Sequence, residues 1–182
     1  MKKASPFIGT SLFEQPNKGT KKTNYRKSEA IKYLETIADE AARKRYPNTP
    51  PHYLAPRTFR DDTANGLTQC IIQFIRLKGG QAERINSTGR RIDTRTNFFD
   101  VVGFQRSIVN THWIPGTGTN GTADISATIA GRSVKVEVKI GADRQSQAQK
   151  DYQQAVQQAG GIYVIASTFE GFLTWFNLTF KP

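Results

Sequence analysis

The stretch GTADISATIAGRSVKVEVKIG, residues 121–141, decides the fold. Its two-residue period predicts a β-hairpin, with strands over 125–129 and 134–140 and Ala130-Gly131-Arg132 as the turn. Successive side chains on a strand point to opposite faces. In the second strand Val134, Val136, Val138 and Ile140 therefore share one face, and Lys135, Glu137 and Lys139 the other. In the first strand Ile125, Ala127 and Ile129 form the apolar set, with Asp124, Ser126 and Thr128 opposite. If the apolar faces coincide, Asp124, Glu137 and Lys139 meet on one polar face, with Glu137 and Lys139 roughly 6.5 Å apart along the strand. Two acids beside a lysine can hold a divalent cation and a water molecule. The same alternation also suits the wet face of a half-buried strand, and periodicity alone leaves both readings open.

The chain on either side reads as alternating helices and strands. Downstream, the spacing predicts a helix over 146–159, with Ala148, Tyr152, Ala155, Val156 and Ala159 on its inner side. Gly160-Gly161 ends it, and Ile162 to Ala166 reads as a fully apolar strand in the interior of a sheet. A last helix over 168–176 packs through Phe169, Phe172, Leu173 and Phe176. Upstream, the glycine-rich run 115–121 lacks the Gly-Lys-Ser/Thr of a phosphate-binding P-loop and precedes a strand rather than a helix. Its expected role is flexibility beside Asp124. Strands are expected over 108–113 and 81–86, with a turn over 87–91 between them. Arg90, Arg91 and the nearby Arg95 suit phosphate contact or a solvated basic loop. His112 has no ligand-spaced partner, which argues against zinc and leaves nucleic-acid contact open.

Residues 61–78 read as a helix with Leu67, Cys70, Ile71, Phe74, Ile75 and Leu77 inward, ended by Gly79-Gly80. An amphipathic helix is expected over 28–46, capped by Ser28 and stopped by the proline-rich run 47–51. It either packs on the core or serves a partner. Residues 1–27 are polar, with seven lysines and arginines against the single acid Glu14, and read as a flexible arm that grips phosphates or only solubilises.

Composition narrows the class of partner. The chain has 182 residues, a net charge of +11 and a sequence pI near 10.0. That balance favours a polyanion, nucleic acid first and an anionic membrane surface second. The single cysteine, Cys70, excludes an intrachain disulfide and reads as a buried thiol. The sequence contains no run of eighteen apolar residues, and no apolar core follows Met1-Lys2-Lys3. A soluble cytoplasmic protein with no membrane span is the expectation.

The ordered set Gly121-x-x-Asp124, Glu137-Val138-Lys139, Gln149 on the next helix and Gly160-Gly161 before an apolar strand resembles the PD-(D/E)xK nuclease superfamily. Within it, the set is similar to the virus-type replication-repair nuclease (VRR-NUC) domain. Arg84-Ile85-Asn86-Ser87 resembles a strand-end motif of the same domain, and the likeness covers residues 61–175. The resemblance implies an α/β fold with a restriction-endonuclease-like core (αβββαβ, a central mixed sheet flanked by helices). Residues 1–60 then form the basic arm, an extra helix and a connector, and 61–182 the nuclease domain.

It further implies Mg²⁺-dependent endonucleolytic cleavage of DNA, with Mn²⁺ able to substitute. Flaps, branched junctions and less selective nicking all occur in the family, in replication, repair or recombination, and a phage-encoded protein fits. Asp124, Glu137, Lys139 and Gln149 would be catalytic, with Asp124, Glu137 and the Val138 carbonyl as metal ligands. The family often adds a glutamate from the first core helix; here only Asp61 and Asp62 are available, Asp62 ahead, and both could instead cap the helix. Arg84, Asn86, Ser87, Arg90, Arg91, Arg95, Arg144 and Lys150 are the expected DNA contacts. Branched substrates favour a symmetric pair of sites, hence a homodimer, and the arm is expected to bind DNA or another protein. The alternatives are a DNA-binding or virion-packaged protein that keeps the fold without activity, and an RNA-directed nuclease.

Overall fold

The computed structural model describes residues 25–86, 89–114, 116 and 118–180. The expectations for residues 1–24 and for Ser87 lie outside the described residues. The elements run α1 (Glu29–Arg45), α2 (Ala64–Leu77), β1 (Gln81–Arg84), β2 (Arg90–Phe99), β3 (Gln105–Ile114), β4 (Ile125–Ile129), β5 (Arg132–Val138), α3 (Gln147–Gln158), β6 (Ile162–Ala166) and α4 (Phe169–Thr179).

The quoted stretch forms the predicted hairpin. β4 and β5 pair antiparallel, with Ile125 opposite Val136 and Ile129 opposite Arg132. The turn is the two residues Ala130 and Gly131, with φ of 48° and 75°. Positive φ at both central positions matches the right-handed twist of the flanking strands. β5 starts at Arg132 and ends at Val138, two residues earlier at each end than its periodicity suggests. Lys139 still donates its amide to the Ala166 carbonyl at 3.0 Å.

A four-stranded mixed sheet grows from this hairpin in the order β1-β4-β5-β6, with β6 parallel to β5 and the other pairs antiparallel. The chain is therefore of α/β class. One face carries Ala82, Ile125, Ala127, Ile129, Val134, Val136 and Val138, all buried against α1, α2 and α4. α1, left open between core and partner, belongs to the core: Ile31 and Leu34 are fully buried. Ser28 caps it, accepting from the Ile31 amide at 3.3 Å. Phe74 of α2 sits edge-on to Phe169, Phe172 and Phe176 of α4, with centroids 5.7, 6.3 and 5.0 Å away. Cys70 is buried, and burial pushes its thiol up to about 12, as suits an inert core residue.

Three expectations need correction. The helix expected from residue 61 starts at Ala64, because Thr63 takes the cap and accepts from the Gly66 amide at 3.1 Å. α3 buries no residue fully: Tyr152 and Val156 are half-buried, while Ala148, Ala155 and Ala159 are exposed. The helix meets β6 through Tyr152, whose ring lies 6.4 Å from that of Tyr163, and its alanines fall outside that contact. Finally, the strand expected over 108–113 extends over β3 and pairs with β2 in a separate two-stranded sheet. Arg90 and Arg91, expected in the turn over 87–91, instead begin β2, whose side chains, apart from a half-buried Ile92, lie in solvent. A strand without a buried face has no reason to alternate. Among the described residues no helix is long and apolar enough to cross a membrane.

Candidate active site

The polar face of β4 and β5 carries the site. The register that sets Ile125 opposite Val136 places Asp124 opposite Glu137 one step beyond the ladder. The Asp124 Oδ2 accepts from the Val138 amide at 2.9 Å, and its own carbonyl accepts from the Ile85 amide at 2.8 Å. Asp124 is thereby pinned between the ends of β1 and β5.

Glu137 is a buried acid, 1% exposed. Lys139 Nζ lies 3.2 Å from its Oε1, the Gln149 amide donates to the same oxygen, and the Tyr163 hydroxyl approaches its Oε2 at 3.4 Å. Burial, then the nearby charge of Asp124, pushes the Glu137 carboxyl above the ordinary range, against the pull of Lys139 and Tyr163. Burial pulls Lys139 down, but its bonds to Glu137 and to Asp143 (Nζ–Oδ2 3.3 Å) outweigh it, so the ammonium is held above its usual value. Tyr163 is pushed up to about 12 by burial and by the Glu137 charge, and so remains a donor at neutral pH.

Gln149 reaches Glu137 because the start of α3 is fixed. Ser146 Oγ accepts from the Gln149 amide while Gln149 Oε1 accepts from the Ser146 amide at 2.9 Å, a reciprocal cap. The same side chain spends its oxygen on the cap and its nitrogen on Glu137. Gly121, at φ 79°, lies against this turn; a Cβ there would meet the Ala148 carbonyl. Gly121→Ala should therefore displace the first turn of α3, lowering stability by about 1–3 kcal/mol. A thermal melt of the variant tests this; a melting temperature equal to wild type would show that the contact is dispensable.

The structure thus brings Asp124, Glu137, Lys139 and Gln149 together, with the Val138 peptide against Asp124. It does not bring the first-helix acids to them. Asp61 accepts from Tyr25 at 2.7 Å and from the Phe169 amide at 3.0 Å, so it serves the start of α4. Asp62 is held by the Arg60 guanidinium, which keeps its carboxyl below the usual range. Among the described residues no group of three or more His, Cys, Asp or Glu could hold a metal ion. A two-acid set with a neighbouring carbonyl still fits Mg²⁺, a hard cation that retains several waters.

The expected DNA contacts among the described residues are exposed. Arg84 ends β1 and Asn86 follows it, on either side of Ile85, whose amide bonds the Asp124 carbonyl, and Arg90, Arg91 and Arg95 line β2. Arg91 contacts Asp93 at 3.5 Å and Thr111 at 3.1 Å. Arg144 follows Asp143, and Lys150 lies on α3. Tyr163, Asp143 and Ser146 were missed in the sequence. A tyrosine within an apolar strand signals a buried hydroxyl in need of a partner, and Ser146-x-x-Gln149 is a capping-box signature; Asp143 carries no such signal. No family model matches the sequence, and no curated protein matches it.

Proposed function

We propose that the chain is a Mg²⁺-dependent DNA endonuclease of the PD-(D/E)xK type, with a VRR-NUC-like core over residues 61–182. The observation that supports this best is a buried Glu137 with Asp124 as its acidic neighbour and the Lys139 ammonium 3.2 Å from its Oε1, inside a chain of net charge +11. Two neighbouring acids in a basic protein suit a cation that bridges to a polyanion.

Asp124 and Glu137 would hold the Mg²⁺, or Mn²⁺ in its place, with the Val138 carbonyl beside them. The bound cation would supply a more acidic water and neutralise charge on the scissile phosphate. The chain's own residues do the rest. Lys139, held as an ammonium, offsets charge developing on the phosphoryl oxygens rather than acting as a base. Gln149 and Tyr163 fix the Glu137 carboxylate in orientation. Arg84, Arg90, Arg91, Arg95, Arg144 and Lys150 contact the flanking phosphates.

Lys139→Ala should lower the rate of plasmid nicking by about 10²–10³ and leave DNA affinity within a few-fold of wild type. Cleavage by this variant at the wild-type rate would remove Lys139 from the site. The second reading, DNA binding without cleavage, is favoured by the diversion of Asp61 and Asp62 to Tyr25, Phe169 and Arg60. Intact plasmid and branched DNA after incubation with Mg²⁺ and with Mn²⁺ would decide for it. Faster cutting of RNA than DNA in the same assay would instead make the chain a ribonuclease.

A further inference from the structure

The β2–β3 hairpin has no place in the core. Its two ten-residue strands pair along their whole length, and all of β3 and nearly all of β2 are exposed. Its tip is nonetheless ordered. Asp100 accepts from the Val102 and Phe104 amides at 3.0 and 2.9 Å and from Arg106 Nε at 2.9 Å, while its own amide bonds the Phe104 carbonyl. The only acid of the tip is thus turned inward, and the side chains left outward are apolar. Phe99 is 72% exposed and Val101 fully exposed, with Val102 and Phe104 beside them. Apolar side chains held in water by a built turn mark a contact surface.

The stem shows which partner fits. The register places Phe98, Ile108 and Ile114 on one face with Arg90 and Arg106, and Phe99, Val109 and Trp113 on the other with Arg91 and Arg95. Neither face is a continuous apolar strip that a second copy of the chain could bury. Each mixes guanidinium groups with rings and branched side chains, which nucleic acid satisfies with phosphates and bases. A two-stranded ribbon also fits a DNA groove. Along the chain the hairpin is inserted between Ile85, whose amide bonds the Asp124 carbonyl, and Asp124 itself, which immediately precedes β4.

We propose that this hairpin is a wedge for branched DNA: the arginines of its stem follow the phosphates, and Phe99, Val101, Val102 and Phe104 enter an opened base step at the branch point. The delivery of that branch point to Asp124 and Glu137 rests on the nuclease reading; the insertion itself does not.

The test uses the full chain and the variant carrying Phe99→Ser, Val101→Ser, Val102→Ser and Phe104→Ser, all at exposed positions. The probes are a four-way junction with 2-aminopurine at its centre and a linear duplex of the same sequence, with Ca²⁺ in place of Mg²⁺. The wild type should bind the junction about tenfold or more tightly than the duplex, as expected for one or two stacked bases, and should raise the 2-aminopurine fluorescence. The variant should lose both effects and keep its duplex affinity. Equal binding of junction and duplex by the wild type, or retention of the preference and the fluorescence by the variant, overturns the wedge. Conversion of a wild-type dimer to a monomer by these substitutions, with fluorescence unchanged, makes the tip an interface between copies and overturns it too. Cleavage with Mg²⁺ is scored separately: a protein that inserts but never cuts leaves the wedge standing and removes the nuclease.

Discussion

Glu137→Gln should abolish DNA cleavage and at the same time make the stability of the metal-free protein less sensitive to pH between acid and neutral. The carboxylate is almost wholly buried, and burial together with Asp124 disfavours its charge more than Lys139 and Tyr163 favour it. Its folded pKa therefore lies above the ordinary value of 4.5. The fold carries no penalty below that ordinary value, where the group is protonated folded and unfolded alike. The penalty grows as pH rises through the folded pKa and is complete above it. Glutamine is neutral throughout. It keeps an oxygen for Lys139 and Gln149 and turns its amide nitrogen to the Tyr163 hydroxyl.

The gap in stability between variant and wild type should thus open from acid to neutral pH in EDTA. Each kcal/mol of it reads as about 2–4 °C in a protein of this size. Mg²⁺ should raise the melting temperature of the wild type alone, since only the wild type keeps both acids to bind it. Cleavage should fall by about 10³ or more. A variant whose stability relative to the wild type does not rise from acid to neutral pH in EDTA, or that cuts DNA at a comparable rate, would contradict this account of the acid pair.

The largest loss of stability is expected from Phe74→Ala. The ring is fully buried and touches Phe169, Phe172 and Phe176, so it joins α2 to α4 across the core face of the sheet. Removing it leaves a cavity that three rigid rings cannot collapse to fill. The cost should be about 3–5 kcal/mol, a fall of about 6–20 °C in melting temperature. A loss under about 1 kcal/mol, the size typical of an average point substitution, would show that the packing of α4 on α2 does not hold the domain together.

Much of this architecture was legible in the residues alone. The alternation over 125–129 and 134–140 determined which face of the hairpin is buried, and the two-residue period then put Asp124, Glu137 and Lys139 on the other. Ser28 and the apolar spacing after it determined α1, and Leu67 to Ile75 determined the buried side of α2. These follow from short-range rules, because side-chain direction in a strand or helix is set by the backbone of the same few residues. Whether α1 joined the core, which acids stood clear of the site, and how β2 paired were decided only by the tertiary structure. Asp61 meets Phe169 across 108 positions, Tyr163 meets Glu137 across 26, and β2 pairs along an exposed ribbon with no apolar period. Such contacts depend on how separate elements pack, and a local pattern carries no record of what will lie against it.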